Sequence, residues 1–114
     1  MNRSSERLRD AAALWDEQRR APFPAGLRGV AFGDTDLVLL DADIAGCVLT
    51  WLNNDGVLDL WRIGILRGCV EDLDRVIPEL TPLTGPAGVR YYERLRRLAL
   101  LTLSAGPPVM SESL

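Results

Sequence analysis

The stretch Asp59-Leu60-Trp61-Arg62-Ile63-Gly64-Ile65-Leu66-Arg67-Gly68-Cys69-Val70-Glu71-Asp72-Leu73-Asp74-Arg75-Val76-Ile77-Pro78-Glu79-Leu80 decides the fold. Apolar residues fall at Ile63, Leu66, Val70, Leu73, Ile77 and Leu80, three or four apart throughout. A 3.6-residue period puts all six on one stripe of a helix, whereas a strand would scatter them over both faces. Asp59 is a good N-cap for its start. Pro78 lacks an N–H and predicts a kink or loosening in the last turn.

Working outward, residues 36 to 53 read as a second helix. Leu40, Ile44, Cys47 and Trp51 fall within about 60° of one another on a helical wheel. Ala42, Asp43, Gly46, Thr50 and Asn53 gather on the other side. Asp34 or Asp36 can cap the start, and Asn53-Asn54-Asp55-Gly56 ends the segment. Gly46 costs roughly 1 kcal/mol relative to alanine, which predicts close approach of a neighbouring element. About five residues separate this segment from the one at 59–80, so the two should form an antiparallel hairpin at the centre of the fold.

Residues 5 to 20 form another amphipathic helix, with Leu8, Ala11, Ala12, Trp15 and Arg19 at helical spacing and Ser4 or Ser5 as cap. Pro22, Pro24 and Gly26 stop it. Residues 21–35 are then a long loop pinned by Phe23, Leu27, Val30 and Phe32, with room for a short strand at 29–32. A loop of that length in a small domain is a candidate binding element. A fourth helix spans 87–103, with Tyr91, Leu95, Leu98, Ala99 and Thr102 on one face and Tyr92 and Leu103 beside them. Residues 105–114 carry Gly-Pro-Pro and small polar residues and read as a flexible tail. The expectation is an all-α fold: a single domain over residues 1–104, built as a bundle of about four helices.

The chain has 114 residues, 47% of them apolar and 25% charged. That suits one globular domain and is too short for two ordinary ones. The longest apolar runs are four to six residues, far short of the roughly 20 a membrane span needs. The start, Met-Asn-Arg-Ser-Ser-Glu-Arg, has no apolar run of a signal peptide, which predicts a cytoplasmic protein.

Histidine is absent, and all 13 basic residues are arginine. The missing histidine removes the commonest general base and metal ligand and excludes a Ser-His-Asp triad. The missing lysine removes Schiff-base chemistry and a phosphate-loop lysine. Arginine without lysine, with abundant Ala, Gly, Leu and Pro, points to a GC-rich coding sequence. The net charge of −3 disfavours nucleic acid as the main partner. Cys47 and Cys69 alone cannot make a zinc site and read as two buried, reduced thiols. No cofactor or metal is expected.

Leu37-Val38-Leu39-Leu40-Asp41-Ala42-Asp43 resembles the first motif of haloacid-dehalogenase-type phosphotransferases. That resemblance implies a strand presenting Asp41 as nucleophile and Asp43 as acid/base. The chain departs from the pattern: Ile44-Ala45 stands where Gly-Thr usually follows, and the required lysine is missing. The reading favoured here is two aspartates on different faces of a helix, in a protein that is not an enzyme. A wider likeness runs through Leu-Leu-Asp-Ala-Asp-Ile-Ala-Gly-Cys, Leu-Asp-Leu-Trp-Arg-Ile and Tyr-Tyr-Glu-Arg-Leu-Arg-Arg-Leu. Over residues 37 to 100 it resembles a group of small uncharacterised helical proteins of GC-rich bacteria, and it implies no activity.

Several residues break the helical pattern. Asp41 falls inside an apolar arc, and an unpaired buried carboxylate is costly. Arg62 is the matching oddity, at the angle of Cys69, Leu73 and Leu80. A hairpin centred near 55–56 sets Arg62 opposite position 50, about nine residues or roughly 13 Å from Asp41. Asp41 is therefore expected to meet Tyr91, Tyr92 or an arginine of the first or fourth segment. The same geometry leaves Cys47 and Cys69 roughly 6 Å apart along the axis. Trp61 lies off the apolar stripe beside Gly64 and Gly68, either as an exposed contact residue or as the seat of a further helix. Arg90, Arg94 and Arg97 share a face at i, i+4, i+7, forming either an anion-binding patch or a solvated face opposite Glu71, Asp72, Asp74 and Glu79.

These readings define two function classes. The first is a small cytosolic protein-binding module, such as an immunity-type inhibitor or regulatory partner, with homodimerisation as a variant. The second is a helical regulator with a small-molecule pocket anchored by Asp41, Arg62 or the tyrosines. The candidate binding residues are Asp41, Trp61, Arg62, Arg90, Arg94 and Arg97.

Overall fold

The computed structural model describes residues 3–104. Four helices form: α1 (Arg3–Arg20), α2 (Leu37–Asn53), α3 (Leu60–Val76) and α4 (Pro86–Leu103). The tail expected at 105–114 lies outside the described residues.

Local chemistry sets the boundaries. The Asp36 carboxylate accepts the N–H groups of Val38 and Leu39 at 2.9 and 3.0 Å, capping α2. The Asp59 carboxylate does the same for the N–H of Arg62 at the start of α3. At Pro78 the α-helix gives way to a 3-10 turn over Ile77–Glu79, as a residue without an N–H requires. Asp55 ends the run after α2 with φ of 53°, the left-handed region that asparagine and aspartate tolerate.

The 21–35 segment is only partly a loop. Ala31–Phe32 (β1) and Thr35–Asp36 (β2) pair antiparallel, in the register Ala31↔Asp36 and Phe32↔Thr35. This hairpin delivers Asp36 to its capping position. Leu27 is buried, and Phe23, Val30 and Phe32 are partly buried against the core. Gly26 has φ of +85°, and a Cβ there would lie 2.8 Å from the carbonyl oxygen of Leu83. Gly88, in the first turn of α4, would place a Cβ 2.3 Å from Thr84 Oγ1 and 3.0 Å from Pro24 Cβ. Both glycines let the loop lie directly on the α3–α4 connection.

The expected centre is corrected. The α2–α3 hairpin forms, but α4 is the helix that packs extensively against all three others, whereas α2 meets α1 only lightly. Its inward face is wide: Gly88, Tyr91, Tyr92, Leu95, Leu98, Ala99 and Thr102 are all buried. A narrow stripe can cover one neighbour, whereas a face this broad is enclosed only by several. On α1 the inward residues are Leu8, Ala11, Leu14, Trp15 and Gln18, while Ala12 and Arg19 face solvent. Gln18 is buried because it bridges to α4. The close approach expected at Gly46 is also absent: among the described residues, no neighbouring element comes within 4 Å of where its Cβ would be.

Candidate functional site

The pattern-breaking residues separate into an internal seam, an outer face and a cleft. The seam joins α2 to α4. The Tyr91 hydroxyl donates to Asp41 Oδ2 at 2.6 Å, and the Tyr92 hydroxyl donates to the Leu37 carbonyl at 2.8 Å. Consecutive tyrosines of α4 thus tie down the first turns of α2. Burial raises the Asp41 pKa, and the Tyr91 hydrogen bond opposes that rise. Burial, followed by the bond to Asp41, pushes the Tyr91 phenol upward as well. A phenol that keeps its proton and donates it to a carboxylate holds geometry; it does not act as a base near neutral pH. Asp41 and Asp43 lie on helix α2 and on no strand, so the arrangement implied by the phosphotransferase resemblance is not formed.

Both cysteines are buried free thiols. Burial is the main cause of the upward shift at each, carrying Cys69 to about 12. Such thiols are scarcely ionised at neutral pH and are poor nucleophiles. Among the described residues, no group of three or more His, Cys, Asp or Glu could hold a metal ion.

The outer face belongs to the α2–α3 hairpin. Trp61 is 70% exposed, Leu39 62% and Leu60 59%, with Val57 also exposed. Of the two expected readings of Trp61, the exposed position is the one found. Among the described residues no further helix seats on Gly64 and Gly68, which have open space where a Cβ would stand. Leu39, Asp43, Gly46 and Thr50 make one stripe on α2, and Trp61, Gly64, Gly68 and Asp72 make the corresponding stripe on α3. Leu39, Asp43, Cys69 and Asp72 line one small cleft, which shows that the two stripes meet.

Arg62 is corrected from an inward oddity to a rim residue. Sitting in the first turn of α3, its side chain turns back to Asp59, where the guanidinium pairs at 2.7 Å. The guanidinium also lies 5.8 Å from the Trp61 ring centroid. The hydrogen bonds from Arg62 hold the Asp59 pKa below its ordinary value. Arg62 and Asp41 do not pair.

Charge is divided in the same way. Residues 34–79 contain ten carboxylates and three arginines, net −7, and the rest of the chain contains six carboxylates and ten arginines, net +4. Two of the three hairpin arginines are tied to carboxylates of their own helix, Arg62 to Asp59 and Arg75 to Asp72. Sequence reasoning noted the acids only as partners for arginines and missed this division, which a running charge count along the chain would have found.

The arginine face of α4 does not act as a unit. Arg94 is mostly buried, and its Nε donates to Gln18 Oε1 at 2.7 Å, while Gln18 Nε2 donates to the Tyr91 carbonyl. Arg90 is exposed beside a cleft that it lines together with Arg94. Arg97 lines a different one with Leu100 and Ser104. Of the acids expected opposite this face, only Asp74 is met, and by Arg96 at 2.8 Å. None of these clefts is lined by Asp41, Arg62, Tyr91 or Tyr92: Asp41 and Tyr91 spend their polar atoms on each other in the seam, and Arg62 pairs with Asp59.

The fold class is a small helical bundle with a two-stranded hairpin leading into its second helix. No family model, curated protein or solved structure matches this chain. No helix among the described residues is long and apolar enough to cross a membrane.

Proposed function

We propose that this chain is a small cytosolic protein-binding module, an immunity-type inhibitor or regulatory partner without catalytic activity of its own. It docks through the outer face of the α2–α3 hairpin. The observation carrying this reading is Trp61, held in the open beside Leu60 and Val57 on the acidic half of the molecule. Tryptophan is enriched among residues that dominate binding energy, and an exposed apolar cluster ringed by charge is characteristic of a contact surface. A net charge of −7 in the segment that bears this face selects a basic partner surface and speeds encounter with it. The alternative occupant is a second copy of the chain, meeting the face through its arginine-rich α1 or α4.

The test is capture from the native host with wild-type protein, Trp61→Ala and Arg97→Ala as separate baits. A specific partner should be retained by wild type and Arg97→Ala, lost by Trp61→Ala, and released by added salt. Equal recovery on all three baits would refute the assignment of the face. Sedimentation of purified protein separates the occupants: a dimer that Trp61→Ala dissociates identifies the second copy.

A further inference from the structure

The first turn of α4 and the 21–25 segment enclose a cleft of about 430 Å³. That volume falls within the range of small-ligand sites. Pro22, Phe23 and Ala87 contribute apolar wall, and Arg90 and Arg94 are the only charged residues lining it among the described residues. The two guanidiniums differ in kind. Arg94 is fixed in place through Gln18, its side chain 18% exposed, and its nearest carboxylate, Glu17, is 3.9 Å away and largely in solvent. Arg90 has no hydrogen-bond or ion-pair partner among the described residues. A third guanidinium, Arg28, stands 4.7 Å from the centroid of the Phe23 ring. Gly85 offers α4 no side-chain cap, so the positive end of that helix adds to the same field.

Positive charge without a balancing carboxylate in the lining, set against an aromatic wall, specifies the ligand chemistry. We propose that this cleft binds a small organic anion with an apolar body. Its carboxylate or phosphate is held by Arg90 and Arg94, and its apolar part lies against Phe23 and Pro22. Gly88 belongs to the device, because only a residue without a Cβ lets Pro24 and Thr84 close over the first turn of α4. The site shares no lining residue with the Trp61 face, and the two proposals stand or fall separately.

The experiment is amide-resolved NMR titration of the full chain with four probes: phenylacetate, its neutral counterpart phenylacetamide, phenyl phosphate and inorganic phosphate. Phenylacetate or phenyl phosphate should shift the Gly85, Ala87, Gly88 and Arg90 amides saturably. Phenylacetamide should bind about tenfold more weakly, the loss expected when a charge-assisted hydrogen bond is removed. Arg90→Ala should weaken the anions by a similar factor, while Arg97→Ala leaves them unchanged. Arg90 is exposed, so its replacement should leave the thermal midpoint near that of wild type and keep the comparison clean. Three results would overturn the proposal: no saturable shift with either organic anion, equal affinity for phenylacetamide, or undiminished affinity in Arg90→Ala. Inorganic phosphate binding as tightly as phenyl phosphate would overturn the role given to the apolar wall.

Discussion

Trp51 and Trp61 are ten residues apart in sequence and flank the same turn, yet one is 1% exposed and the other 70%. Trp51 ends the inner stripe of α2 beside Gly56, and its indole Nε1 is buried without a hydrogen-bond partner among the described residues. Trp61 begins α3 on the outside, with Arg62 over its ring. The inner tryptophan is kept despite an unsatisfied donor, a cost of about 1–3 kcal/mol, because its volume fills the bundle. The outer one gains little from the fold and leaves its apolar surface in water. Residue type therefore does not say which half of the hairpin is structural and which is available for contact. The packing around each residue does.

Substitution should sharpen this contrast. Trp51→Ala is expected to lower the unfolding free energy by about 3–5 kcal/mol, the usual cost of emptying an aromatic site in a core. Trp61→Ala should change it by less than about 0.5 kcal/mol. Urea denaturation of both variants measures the pair, and comparable losses would erase the distinction. A second, smaller effect is expected where the loop meets α4. Gly88→Ala forces Thr84 and Pro24 aside and should destabilise by about 1–3 kcal/mol, whereas Gly46→Ala, with open space at its Cβ, should be neutral or stabilising. Thermal melts of the two would expose a misplaced loop if their order were reversed.

The smallest effect concerns Asp41, the one carboxylate on the inner side of this comparison. Burial raises its folded-state pKa above the ordinary 3.8. The unfolded chain therefore loses this proton at lower pH than the folded chain. The resulting stability is fully present below the unfolded value and is lost as pH rises through the folded one. Asp41→Asn keeps an acceptor for Tyr91 and has no such proton. The unfolding free energy of wild type minus that of Asp41→Asn should fall as pH rises from the ordinary 3.8 through the raised folded-state value. A difference that grew with pH would mean that the Tyr91 bond outweighs burial.

Helix periods were legible because one stripe of α3 and one of α4 are nearly uninterrupted. Pro78 and the two aspartate caps announced their effects on the backbone directly. The partner of Asp41 was legible too, since an antiparallel hairpin excludes Arg62 by distance and leaves the α4 tyrosines within reach. The inward turn assigned to Arg62 failed because a helical wheel has no ends. In a first turn, a long side chain reaches its own N-cap residue and leaves the core. Of the β1–β2 hairpin only the first strand was legible, within 29–32, because two-residue strands carry too little alternation for β2 to register. The cleft beside Arg90 was invisible because it depends on two glycines allowing distant segments to touch, a condition no local pattern encodes.

If the hairpin's outer face docks a partner, as proposed, position 61 lies in the interface and position 97 outside it. A photo-activatable phenylalanine analogue placed at position 61, and separately at position 97, tests this most directly when irradiated in the native host. A discrete, salt-sensitive cross-linked species is expected from position 61 and none from position 97. The same adduct from both positions, or one from position 97 alone, would contradict it.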